Sequence, residues 1–143
     1  LISSYDETEK QHLESYLLVK KAMTEELQVF LAHQNFLEYL VIVINPNRVK
    51  NPLSIKGAIR NVNFYTWHLR IIFPKSTTIA TLKRLLNQKP VTKGKMFDLY
   101  LAATALDNGI NHICTWNTSD FKGLSEVEVS TPVEILKKLA QAK

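Results

Sequence analysis

The fourteen residues MFDLYLAATALDNG, positions 96 to 109, are followed two residues later by HICTW, and this junction constrains the fold more than any other. Leu and Ala favour a helix, and Asn108-Gly109 supplies the residues that end one. HICTW reads as a strand, a short helical turn follows around Ser119 to Lys122, EVEVS reads as a second strand, and Pro132 opens a last helix running to the end. Strands alternating with helices through short connections predict an α/β fold with a mainly parallel sheet. In such sheets, sites form outside the carboxyl ends of the strands. The polar run TWNTSDF, residues 115 to 121, stands at one of those ends.

The earlier chain follows the same alternation. Leu13, Leu17 and Ala22 recur at helical spacing between about Thr8 and Met23, with Asp6 or Thr8 as the cap. LQVFLA (27 to 32) predicts a strand. Gln34 to Ile44 predicts a buried helix stopped at Asn45-Pro46. After the loop NPNRVKNP come a helix from Leu53 to about Trp67, a strand LRIIF (69 to 73), a helix capped by Ser76 or Thr77, and a loop from Gln88 to Lys95.

A chain of 143 residues is expected to form one domain over its whole length. Its apolar fraction of 45% and charged fraction of 22% are those of a soluble protein. No apolar run reaches the length that spans a bilayer, so no membrane association is expected. Cys114 is the only cysteine, which excludes an intrachain disulfide or a thiolate zinc site. It is expected as a buried strand thiol in a reducing, cytoplasmic setting.

The net charge of +5 is unevenly spread. Residues 1 to 38 carry seven acids and three bases, and residues 98 to 143 carry six acids and four bases. Between them, residues 39 to 97 carry eleven Lys or Arg and no acid at all. This is either a solvated basic face or a surface that recruits phosphates.

Three acids stand apart. Glu38 lies inside QNFLEYLVIVI, Asp98 in the first turn of MFDLYLAATAL, and Asp120 after a strand. Singly, each has an ordinary use: an exposed helix position, a charge at a helix start worth about 0.3–1 kcal/mol, or a cap. Two carboxylates about 4 Å apart repel by roughly 4 kcal/mol at an effective dielectric near 20. Clustering them makes sense when a divalent cation offsets that cost, and such a cation serves phosphoryl chemistry.

FLEYLVIVINP resembles the second acidic motif of the PIN-domain nucleases, and FDLYLAATALDNGINHICTWNTSDF resembles their third and fourth motifs in sequence. EVEVSTPVEIL is similar to that family's last strand and helix, and the lone, small domain is most similar to the VapC-type toxin ribonucleases. The resemblance implies a three-layer α/β/α fold and a cluster of acids binding Mg²⁺ or Mn²⁺. It further implies single-stranded RNA as substrate, a homodimer and a cognate antitoxin. By position, Glu38, Asp98 and Asp120 become metal ligands, Asn117 assists, and Thr115 orients the turn. The family's opening motif, a central strand ending in Asp, has no counterpart here. Leu1 to Ser4 are similar to the tail of the helix that follows it, so that strand and its acid are expected upstream of Leu1.

Lys93 and Lys95, just before Asp98, are the bases best placed to meet a phosphate. Trp67 is expected in the core, Trp116 either packs or stacks on a base, and His33 is expected to be structural or at the cleft rim. His12, His68 and His112 share no metal-ligand spacing. The competing function is a non-catalytic RNA-binding or interaction module of the same fold; a third, a flavodoxin-like regulator, is disfavoured because this sequence lacks its first strand and phosphate loop.

Overall fold

The computed structural model describes residues 2–5, 10–88 and 93–141, and the chain divides into two compact units, Leu1–Ile71 and Ile72–Lys143. The fold is mixed α/β, rich in helix, with short strands. Among the described residues the strands pair two by two, β1 (Phe30–Ala32) with β2 (Arg70–Ile72) and β3 (His112–Cys114) with β4 (Glu128–Ser130).

The first unit contains α1 (Ile2–Tyr5), α2 (His12–Met23), β1 (Phe30–Ala32), α3 (His33–Val43), α4 (Ile55–His68) and, at its boundary, β2 (Arg70–Ile72). Of the segment similar to a helix tail, Ile2 to Ser4 are helical. The expected caps Asp6 and Thr8 lie outside the described residues. Strand β1 passes directly into α3, where the Asn35 side chain accepts the Ala32 amide (2.9 Å) and occupies a donor that the helix start leaves open. Ser54 caps α4 by accepting the Gly57 amide (3.1 Å).

The core of this unit is Tyr39, Val43 and Ala58, with Tyr5, Leu53, Val62 and Tyr65 packed around them. Tyr5 and Tyr65 meet the Tyr39 ring edge-on, with centroids 6.3 and 5.8 Å away. Its buried hydroxyl accepts the Asn61 amide (2.9 Å), and burial pushes it up to about 12. Helix α3 corrects the expectation of a fully buried helix. Phe36, Tyr39 and Val43 face inward, while Leu37, Val41 and Ile44 are exposed.

The second unit contains α5 (Thr78–Gln88), α6 (Met96–Asp107), β3 (His112–Cys114), β4 (Glu128–Ser130) and α7 (Pro132–Gln141), with 3-10 turns at Lys93–Lys95 and Thr118–Asp120. Residues 89–92 of the expected loop lie outside the described residues. Helices α5 and α6 pack together, and Ala102 and Ala103, both fully buried, present the small surface that a close approach needs. Leu85, Leu99, Phe121 and Leu124 complete the core. The helices are also tied end to end. Thr77 and Thr78 hydroxyls donate to the Asp107 carboxylate (2.7 and 2.8 Å), and Lys75 Nζ donates to the Asp107 carbonyl (2.7 Å). Gly109, with φ of +77°, takes the left-handed position beyond α6.

Strands β3 and β4 are parallel, with His112 opposite Glu128, Ile113 opposite Val129 and Cys114 opposite Ser130. Ile113 and Val129 pack on the core. Cys114 is exposed, which corrects its expected burial: it alternates with Ile113 and so faces the other way. Exposure governs which reagents reach it, whereas the surrounding protein desolvates a thiolate there and pushes the thiol up to about 11. Thr131 and Glu134 close a reciprocal cap on α7, the hydroxyl accepting the Glu134 amide (3.3 Å) and the carboxylate accepting the Thr131 amide (2.7 Å).

Candidate functional site

The site lies in the second unit, where the chain leaves β3. The Thr115 amide donates to the Ser130 carbonyl (3.0 Å) and so prolongs the ladder by one residue. Its hydroxyl then accepts the Asn117 amide (3.1 Å), a side-chain turn that bends the chain out of the strand direction. The 3-10 turn Thr118–Asp120 follows, closed by the Asp120 amide on the Asn117 carbonyl (3.1 Å). Phe121, 4% exposed, anchors the turn in the core. Burying Phe121 therefore fixes where its neighbour Asp120 can sit.

Lys95 reaches this turn from the residue just before α6. Its ammonium pairs with Asp120 Oδ1 at 2.8 Å. That contact brings the start of α6, whose first turn holds the half-buried Asp98, beside the turn that holds Asn117 and Asp120. The two acids that sequence reasoning selected from this half of the chain thus stand on adjoining segments at the carboxyl end of β3. The pair is partly open to water, with side-chain exposures of 39% for Lys95 and 21% for Asp120, so screening keeps its contribution within about 1 kcal/mol. Beside the turn lies a groove of about 410 Å³, with Thr118, Ser119 and Lys122 among its polar lining and Leu124 and Val129 among its apolar lining.

Glu38 belongs to the first unit, is exposed on α3, and accepts a hydrogen bond from Gln34 Nε2 (2.6 Å) one turn earlier. The Lys93 side chain lies outside what is described. His33 is exposed at the start of α3, and Trp116 is half-buried. Trp67 is 87% exposed, which corrects its expected place in the core. It lies on the outer side of α4, opposite the inward-facing Ala58 and Val62.

Carboxylate and amide oxygens are the donors that Mg²⁺ and Mn²⁺ prefer, so Asp98, Asp120 and Asn117 suit such an ion by type. They fall short by number: among the described residues, no group of three His, Cys, Asp or Glu is disposed to hold a metal. A lysine already supplies the positive charge at Asp120. What this unit offers by itself is two acids on adjoining segments, one of them paired with an ammonium, and a groove beside the Thr118–Asp120 turn.

Sequence reasoning placed Lys95 toward a phosphate and missed its bond to Asp120, because the 24 residues between them hide the contact. It also passed over Asp107, although the run Ser76-Thr77-Thr78 signalled hydroxyls in search of an acceptor. No protein-family model matches this chain, and no curated protein matches it. No helix among the described residues is long and apolar enough to cross a membrane.

Proposed function

We propose that the chain is a metal-dependent endoribonuclease of the PIN type, hydrolysing phosphodiester bonds of single-stranded RNA as the toxin of a toxin–antitoxin pair. The observation that carries this reading is the meeting of the first turn of α6 with the Asn117–Asp120 turn at the carboxyl end of β3. It supports the reading because the block 98–121 carries the resemblance, and its two acids come from distant parts of that block to adjoining segments. Asp98 and Asp120 supply negative charge, Thr115 shapes the turn through the Asn117 amide, and the groove beside them has the polar rim that a sugar–phosphate chain needs. Bound Mg²⁺ or Mn²⁺ would activate water and offset charge on the phosphoryl group.

Several parts of the proposal rest on the resemblance alone. These are the three-layer arrangement, the homodimer, the antitoxin, the cytoplasmic location and the role of Glu38 as a further ligand. The test is cleavage of a single-stranded RNA in Mg²⁺ or Mn²⁺. Asp98→Asn is expected to abolish cleavage while the circular dichroism spectrum stays that of the parent. Full activity in that variant would sink the proposal.

One observation favours a second reading. The Lys95 ammonium sits on Asp120 where a cation would bind, and no three-ligand group is found among the described residues. A non-catalytic RNA-binding module accounts for both. It predicts salt-sensitive RNA binding without cleavage at any divalent concentration.

A further inference from the structure

Helix α4 turns an unusual face to water. Lys56, Arg60, Asn63 and Trp67 follow one another at intervals of four, three and four residues, which places them in a single stripe. All four are exposed, Trp67 at 87%, and Phe64 beside them is half-exposed at 49%. Phe64 lies against the His68 ring with centroids 4.3 Å apart, one turn of helix from the end of the stripe. The opposite side of the helix is the one that packs inward, through Ala58, Val62 and Tyr65. Packing within the unit therefore does not account for the stripe.

From this we infer that the outward face of α4 is a single-stranded RNA-binding surface, with Lys56 and Arg60 meeting phosphates and Trp67 stacking on a base. Charge complementarity selects the occupant. No acid occurs between residues 39 and 97, so α4 and the chain on either side of it carry no carboxylate to repel a phosphate. Among the described residues neither Lys56 nor Arg60 is held in a salt bridge. Cations and an exposed aromatic in one stripe suit a strand that offers phosphates and unpaired bases along its length. A membrane surface is a poorer fit. An interfacial helix keeps its charges off the apolar face, whereas Lys56 and Arg60 here lie in line with Trp67. A second copy of the chain is poorer still, because it would bring the same positive stripe against itself.

The inference rests on the proposed function for its substrate class, RNA, and not for its chemistry. Its test separates the two by measuring binding with chelator present, so that no cleavage intervenes. The full chain is titrated against a fluorescein-labelled oligouridylate of about 12 nucleotides, with anisotropy as the readout. Trp67→Ala is expected to weaken binding about five-fold or more, with Trp67→Phe recovering part of the loss. Lys56→Glu with Arg60→Glu is expected to weaken it further and to reduce the slope of log affinity against log salt by about two. These positions are exposed, so unchanged circular dichroism is expected in each variant. Wild-type affinity in both variants overturns the inference. So does unchanged RNA binding accompanied by lost binding to phosphatidylserine–phosphatidylcholine vesicles, or by dissociation of a dimer in sedimentation. Loss of RNA binding in the α4 variants supports the inference even where the parent cleaves nothing, an outcome that would defeat only the nuclease reading.

Discussion

Leu85→Ala tests the core that holds the candidate site. Leu85 is fully buried on α5 and touches the group formed by Leu99, Ala102, Ala103, Phe121 and Leu124. The change removes three carbons, a transfer loss of roughly 2 kcal/mol at about 0.8 kcal/mol per methylene. The cavity adds about 24 cal/mol per Å³ that fails to collapse. Ala102 and Ala103 have no longer side chain to swing into the space, so part of it stays open. Phe121 and Leu124 sit on turns and relax more easily, which caps the cost. We expect a loss of about 3 kcal/mol, within the measured span of about 2.7–5 for such changes. In a chain of this size that lowers the thermal midpoint by roughly 10 °C. Urea unfolding followed by circular dichroism measures the loss. Leu85→Met is expected to cost under about 1.5 kcal/mol. Ile79→Ala, on the exposed side of α5 at 52%, should cost within about 0.5 kcal/mol. Because Phe121 belongs to the same core, the amides of Asp120 and Phe121, bonded to Asn117 and Thr118, should exchange faster in Leu85→Ala. A loss under about 1 kcal/mol with unchanged exchange would refute the claim that Leu85 supports the turn carrying Asp120.

Three further changes have defined outcomes. Burial raises the Tyr39 hydroxyl from its ordinary value of 10.0 to about 12, so its share of stability is complete below pH 10 and is lost as pH rises toward 12. Tyr39→Phe should therefore flatten the alkaline limb of the stability curve, while costing about 1–2 kcal/mol at neutral pH because the Asn61 amide loses its acceptor. The hydroxyls of Thr77 and then Thr78 hold the Asp107 carboxyl below its ordinary value of 3.8, so its contribution is complete above that value and disappears as pH falls through the lowered one. The stability gap between parent and Asp107→Asn, read from urea titrations, should accordingly be widest at neutral pH and close in strong acid. Lys95→Met should change stability by less than about 1 kcal/mol, since its pair with Asp120 is partly solvated. If the site works as a nuclease, the variant should cleave RNA at lower Mn²⁺ than the parent; activity lost at all Mn²⁺ concentrations would show that the lysine serves the reaction instead.

Helices were the legible part of this sequence. The expected spans 34 to 44 and 53 to 67 became His33–Val43 and Ile55–His68, and Pro132 does open the last helix. Apolar period, caps and breakers are local signals, and they act locally. Strands were legible as places and not as lengths. LQVFLA, LRIIF, HICTW and EVEVS each settled to three ladder residues, because a strand extends only as far as a partner continues beside it. At HICTW the cause is visible: the Thr115 hydroxyl takes the Asn117 amide and turns the chain away. Exposure was the least legible property. Trp67, Cys114 and the outer residues of α3 were all assigned to an interior by their type, yet burial depends on which distant segments arrive. For Trp67, its line with Lys56 and Arg60 was the sequence signal of an outward face.

The acids of residues 98 to 143 differ in what their positions offer. Residues 98 to 143 hold six: Asp98, Asp107, Asp120, Glu126, Glu128 and Glu134. Three of them have structural work. Asp107 ties α6 to the start of α5, Glu134 closes the cap of α7, and Glu126 pairs with Arg84 while accepting from Gln88. Glu128 is exposed at the first residue of β4, opposite His112 and thus at the amino end of the parallel pair. That end is where α/β sheets rarely place chemistry. Asp98 and Asp120 stand at the carboxyl end, on segments joined through Lys95, which itself holds Asp120. If the proposed nuclease reading holds, removing either acid should affect cleavage more than folding, whereas removing Asp107 or Glu134 should do the reverse. Paired activity and unfolding measurements on Asp98→Asn, Asp120→Asn, Asp107→Asn and Glu134→Gln decide the matter. A variant at Asp107 or Glu134 that loses cleavage while keeping parental stability would break this division.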